Sequence, residues 1–287
     1  LVAEGKFYAL GSSGGVFCVD ARTGRPVWQS RTGDRVVIPT NCPMYAAGVL
    51  VCNNSQGGVV GFDAETGKRL WGPTGYVRQH CSPIPWVHKG KTYVIADNLC
   101  VDVRTGKALW KADWALYTAR HGGGTYAVNE DYMVTASGSG GKGGIGCFKI
   151  SPEGTVKVWT LGDGYASQFT GPCIYRGHVY FNASGRDPKE GGKPELICIE
   201  LATGKIVGAL PGANGAGNCI SPLAGNGVII ARAPDKLCLF TCAQDGFKQL
   251  GEPLKLDWEW TITPALADGR LYLRGAGCLL CYDLRKL

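Results

Sequence analysis

The chain has 287 residues, 45% hydrophobic and 18% charged, with a formal net charge of +7. That length can bury a large core, as one big domain or two ordinary ones. No apolar run approaches the roughly 18–20 residues of a membrane-spanning helix, and no dense basic run marks a nucleic-acid partner. The opening LVAEGKFYAL lacks the charged start and apolar middle of a signal peptide. It reads as the interior of a domain, so the chain is expected to be a processed or trimmed product. With 44 glycines and 15 prolines, many tight turns and short strands are predicted.

In chain order, the first strand pair is KFYAL and VFCVD, followed by ARTGRPVW up to Trp28. PMYAAG then leads into VLVC and VVGFD, and AETGKRLW ends at Trp71. PWVHKG, TYVIA and LCVDV follow, and RTGKALW ends at Trp110. The fourth unit has YMVTA and GCFKI, with SPEGTVKVW ending at Trp159. The fifth has PCIYRG, HVYFNA and LICIE, the sixth PLAGNG, VIIA and LCLFT, and the seventh PALADG, RLYL and LLCYD. Runs of four to six residues rich in Val, Ile, Tyr and Leu, bounded by Gly, Pro or Asp, are strands.

The second runs repeat at about 40–50 residues, with Asp20, Asp63, Asp102, Lys149, Glu200, Phe240 and Asp283 at matching positions. About four strands per repeat at this period predict one propeller blade each. The expected fold is all-β: a seven-bladed β-propeller of four-stranded antiparallel blades, one domain spanning residues 1–287. An eight-bladed ring with N-terminal sequence missing is the alternative. In D-x-x-T-G, the Asp20 carboxylate can accept hydrogen bonds from the N–H groups of its turn, and Gly24 supplies positive φ. Trp28 then returns on the outermost strand, where a large ring can wedge between neighbouring sheets. Asp63 and Trp71, and Asp102 and Trp110, repeat these roles; Trp159 keeps the ring after a longer turn.

The pattern A-x-D-x-x-T-G-x-x-x-W resembles the tryptophan-docking motif of the PQQ-enzyme repeat. It is strong in the first three units. The fifth, IELATGKIVG, places Gly208 where Trp is expected, and the sixth, FTCAQDGFKQLG, has lost the signature. The resemblance covers essentially the whole chain. It implies either a quinoprotein dehydrogenase using PQQ with calcium or a non-catalytic propeller, and a periplasmic or secreted bacterial location. Enzymes of the family carry two adjacent cysteines under the quinone; this chain has no adjacent pair. A non-catalytic propeller without cofactor or metal is therefore expected.

The 13 cysteines cannot all pair internally. Cys18, Cys100, Cys147, Cys198, Cys238 and Cys281 share one repeat position and are read as small apolar residues between packed sheets. Cys42, Cys81, Cys173 and Cys219 lie near the start of a unit. The Gly-rich stretches SGSGGKGG (137–144) and GRDPKEGGKPE (185–195) read as flexible insertions.

Propeller sites usually lie at one mouth, on the loops joining one blade's outer strand to the next blade's inner strand. Those loops carry Asn41, Arg78, His80, Arg120, His121, Gln168, Asn218 and Trp260. Arg78 with His80, and Arg120 with His121, would form a basic patch suited to a carboxylate, a phosphate or an acidic peptide. The favoured function is a scaffold or recognition module, working as a monomer, for a protein, peptide or envelope component. A sensor of an anionic small molecule or sugar and a PQQ-dependent dehydrogenase stay open as alternatives.

Overall fold

Strand order follows chain order in every sheet, so each repeat pairs with itself before the chain moves on. The computed structural model describes residues 1–11, 13–33, 42–54, 58–75, 82–112, 125–139, 142–162, 164–165, 170–183, 195–211, 221–233, 236–256, 264–274 and 277–286. Sheet one holds β1 (Val2–Ala3), β2 (Lys6–Leu10), β3 (Gly15–Asp20) and β4 (Pro26–Arg31). Sheet two holds β5 (Met44–Ala46), β6 (Val49–Asn54), β7 (Gly58–Asp63) and β8 (Arg69–Trp71). Sheet three holds β9 (Ile84–His88), β10 (Lys91–Ala96), β11 (Leu99–Asp102) and β12 (Ala108–Lys111). Sheet four holds β13 (Thr125–Val128), β14 (Tyr132–Ser139), β15 (Lys142–Ser151) and β16 (Gly154–Leu161). Sheet five holds β17 (Cys173–Tyr175), β18 (His178–Ala183), β19 (Glu195–Glu200) and β20 (Ile206–Pro211). Sheet six holds β21 (Leu223–Gly225), β22 (Val228–Ala233), β23 (Lys236–Thr241) and β24 (Gln249–Lys255). Among the described residues, sheet seven holds β25 (Ala265–Ala267), β26 (Arg270–Arg274) and β27 (Leu279–Asp283). The fold class is thus the seven-bladed β-propeller, all-β; among the described residues six blades have four antiparallel strands and one has three.

The chain divides into two compact units, Leu1–Tyr132 with Lys149–Val156, and Met133–Phe148 with Lys157–Leu287. In the first unit, Tyr8, Val16 and Cys18 of sheet one pack on Leu50, Cys52 and Phe62 of sheet two. The alternate residues of sheet two, Val49, Val51 and Val59, join Trp71 against Val94, Ala96 and Val101 of sheet three. Successive side chains point to opposite faces, and here both faces are covered, so β6 is buried throughout. That is why the inner runs read as continuous apolar stretches rather than alternating ones. The second unit repeats the arrangement, with Tyr180, Leu196 and Cys198 against Ile229, Ala231 and Phe240.

Local chemistry makes the turns. Asp20 Oδ1 accepts from the Thr23 N–H at 2.7 Å, the Thr23 hydroxyl at 2.7 Å and the Arg22 N–H at 3.1 Å. Asp63 does the same with Thr66 and Glu65, and Asp102 with Thr105 and Arg104. The Gly of the P-x-x-x-x-G grammar ends a two-residue hairpin turn in which both residues have positive φ, as at Ala47 (50°) and Gly48 (80°). The twist of such turns matches that of the strands they join.

Each repeat tryptophan reaches the next sheet. Trp28 Nε1 donates to the Ala64 carbonyl at 3.1 Å, Trp71 to Val103 at 3.0 Å and Trp159 to Leu201 at 2.8 Å. Each acceptor directly follows the residue that opens the next turn. Trp110 donates to Ser151 at 2.8 Å, one residue further along, because that turn is longer.

Where sheet five has Gly208 in place of tryptophan, an aromatic arrives from the opposite direction. A Cβ built on Gly208 would lie 2.8 Å from Cδ1 of Phe247, which follows the divergent turn of sheet six. Phe247 also packs on Tyr180 and Phe240, each at 5.9 Å between ring centroids.

Two expectations are corrected. Cys18, Cys100, Cys147, Cys198 and Cys238 are buried, but Cys281 is exposed. Cys18 and Cys100 pair with an outer-strand residue, Trp28 and Trp110, whereas Cys281 sits on β27 at the edge of its sheet. The stretch 137–144 is largely strand rather than insertion, because β14 runs to Ser139 and β15 starts at Lys142. The stretch 185–195 lies almost wholly outside the described residues.

Candidate functional site

Asn41, Arg78, His80, Arg120, His121, Gln168, Asn218 and Trp260 all lie outside the described residues. The described residues hold a different candidate, a cleft of about 900 Å³ within the first compact unit. One wall is the β9–β10 hairpin of sheet three, with His88, Lys89 and Lys91; the other is Asp131 and Tyr132 with residues 149–156 of sheet four.

The cleft lies at the β9–β10 end of sheet three. Lys91 pairs with His88, and Tyr93 with Asp102, at the cleft end of sheet three. Ala96 pairs with Leu99, and Leu99 with Lys111, at the other end, from which the chain leaves towards residue 113.

Tyr93 and Tyr132 line the cleft, and Trp86 packs against Tyr93 within sheet three. Trp86 is buried, with Tyr93 at 5.2 Å and His88 at 5.3 Å between ring centroids. Its Nε1 donates to the Glu130 carbonyl at 3.0 Å, tying sheet three to the β13–β14 turn. That turn has no glycine; Asn129 Oδ1 shapes it by accepting from the Tyr132 N–H at 2.8 Å and the Asp131 N–H at 3.1 Å.

Charges of both signs share this lining. Lys91 Nζ lies 5.4 Å from the Tyr93 ring centroid, and Lys149 Nζ 5.9 Å from that of Tyr132. An ammonium over a ring face is attracted by its quadrupole, so each lysine has a defined seat. Lys91 Nζ is also 3.7 Å from the Asp102 carboxylate, yet its side chain keeps 65% of its exposure. Glu153 stays ionised below the usual carboxylate range, first through its hydrogen bond with Ser151 and further through its own N–H and the nearby His88 and Lys89.

The arrangement suits recognition, because ammonium groups can hold an anion while Glu153 and Asp131 accept from N–H donors. Its signal in the sequence is the departure of the fourth repeat: Lys149 stands where Asp20, Asp63 and Asp102 stand, and SPEGT replaces the short D-x-x-T-G turn. Among the described residues, no group of three or more His, Cys, Asp or Glu converges as a metal site.

Seven sheets of this topology, with a carboxylate-capped turn recurring in the repeat, define a β-propeller built of PQQ-like repeats. The family described as outer membrane protein assembly factor BamB matches residues 1–209, and the chain belongs to it. The crystal structure of BamB from Moraxella catarrhalis is similar with a TM-score of 0.70 at 16% identity, over 96% of this chain and 78% of that one. The computationally designed protein Ika8 is similar with a TM-score of 0.70 at 14% identity, over 99% and 82%. A europium-containing methanol dehydrogenase gives 0.63 at 12% identity, over 99% and 76%. At these identities the likeness is one of fold. No curated protein matches the chain.

Proposed function

We propose that this protein is a non-catalytic propeller, a scaffold or recognition module for a protein or peptide partner in a bacterial envelope. The observation that carries this reading is the match of residues 1–209 to the family of an outer-membrane assembly factor. The geometry supports it: the recurring carboxylates Asp20, Asp63 and Asp102 each cap their own turn, which takes them out of the pool of metal ligands and proton-transfer groups. With no adjacent cysteine pair in the chain, these residues do not fit a quinone-and-calcium site, and the protein works without PQQ. It acts as a periplasmic or secreted monomer, and its loops with Arg78, His80, Arg120 and His121 meet the partner.

The test is site-specific photo-crosslinking from position 120 in bacterial cells. A discrete protein adduct, weakened by Arg120→Ala with His121→Ala, is expected. In parallel, the purified protein receives PQQ and calcium. Retained quinone absorbance with alcohol-dependent dye reduction would replace this reading with the dehydrogenase. A melting temperature raised by a free sugar or carboxylate, with no adduct, would replace it with the sensor.

A further inference from the structure

We infer that the cleft between the β9–β10 hairpin and the β15–β16 turn is a second recognition site, which binds an acidic peptide segment of a protein partner. The inference rests on the reading of the protein as a recognition module and places recognition at the β9–β10 end of sheet three.

Three observations carry it. First, the charge of the repeat is inverted here. The position that holds a turn-capping carboxylate in sheets one to three holds Lys149 in sheet four. The ammonium lies over Tyr132 instead of closing a turn. Second, Lys91 lies over Tyr93 on the facing sheet and keeps most of its exposure, so ammonium groups stand on both walls. Strongly hydrated point charges on aromatic seats suit carboxylates that approach from water. Third, the lining also contains Glu153 and Asp131. A phosphate-rich surface such as phosphatidylglycerol offers no backbone N–H donors, and its phosphates would be repelled by both. An acidic peptide carries carboxylates for the lysines and backbone N–H donors for the two acids, so the mixed lining favours it. The volume, about 900 Å³, falls in the range of ligand clefts, roughly 300–1,000 Å³.

The test uses the full chain and a fluorescein-labelled peptide of alternating glutamate and glycine, read by anisotropy. Its counterpart has glutamine for each glutamate, and phosphatidylglycerol vesicles form a third arm. The glutamate peptide is expected to bind, more weakly as salt rises. Affinity should fall about tenfold or more for the glutamine counterpart and for Lys91→Gln with Lys149→Gln, the scale of a lost charge-assisted contact. Hydrogen exchange should show protection of residues 86–93 and 149–156 on binding. If the double variant melts at a lower temperature, Lys91→Gln and Lys149→Gln are read singly. Equal affinity in the variants, or for the glutamine peptide, overturns the inference. So does lysine-dependent binding of vesicles without binding of peptide. An adduct from position 120 that persists alongside such a failure leaves the proposed function standing and removes only this site.

Discussion

Trp28 of sheet one lies directly on Gly67 of sheet two: a Cβ built on Gly67 would fall 2.5 Å from Cε3 of the indole. The same contact joins Trp71 to Gly106 and Trp159 to Gly204. The glycine of the turn thus has two tasks, a positive φ of 72° and a flat bed for the neighbour's ring. Gly24 opens sheet one's outer strand with φ 71° but has nothing within 4 Å of its would-be Cβ.

This pair separates the two tasks. Gly24→Ala should lose about 1–2 kcal/mol from the left-handed backbone alone. Gly67→Ala should lose that plus roughly 1–3 kcal/mol for displacing the ring. Urea midpoints of the two variants measure the difference. Equal shifts would mean the indole moves aside freely.

Trp71 is nearly buried, and its N–H ends on the Val103 carbonyl. Trp71→Ala should cost about 3–5 kcal/mol as a core aromatic truncation. Trp71→Phe should fall between that and wild type, since a ring remains but Val103 loses its donor. Thermal or chemical unfolding monitored by circular dichroism reads both. A near-neutral alanine variant would remove the indole from any role in holding sheets two and three together.

Acid should loosen the turns. Asp20 and Asp63 are held below the ordinary carboxylate range, first by the Thr23 and Thr66 hydroxyls and then by backbone N–H groups. Asp102 is pushed up by partial burial, but the Thr105 N–H and hydroxyl outweigh it and leave it lowered. A depressed folded pKa stabilises above the unfolded value of about 3.9 and loses that contribution as pH falls through the folded one. The melting temperature should therefore be level near neutrality and fall below about pH 4. Asp63→Asn should flatten part of that fall, because its acceptor carries no charge to neutralise. An unchanged acid slope in this variant would show that the turn does not contribute to it.

Thiol reactivity should follow burial. Burial pushes Cys52, Cys100 and Cys147 up to about 12, and the thiolate is the reactive form. In the native protein, iodoacetamide should modify Cys42, Cys278 and Cys281, which are exposed, and spare Cys52, Cys100 and Cys147 until denaturant is added. Peptide mass spectrometry maps the sites. Rapid native labelling of Cys100 would show that sheet three opens readily.

What the sequence determined by itself is the local part of the molecule. The Asp20–Thr23 and Asp63–Thr66 contacts join residues three apart, so a turn, its glycine and the strands on either side are written in one short string. Repetition of the strand runs, with or without that turn, defined the blades and their number. Only the tertiary structure decided what each sheet meets. Trp28 reaches a carbonyl 36 residues away, Phe247 fills the place left by Gly208 from the following sheet, and Trp86 pins a glycine-free turn 44 residues on. Lys149 and Glu153 read as a decayed repeat in one dimension, and become one wall of a charged cleft only when the β9–β10 hairpin of sheet three stands opposite. The local motif marks a ring that wedges between sheets, but which distant atoms receive it depends on packing between segments far apart in the chain, which no local pattern encodes.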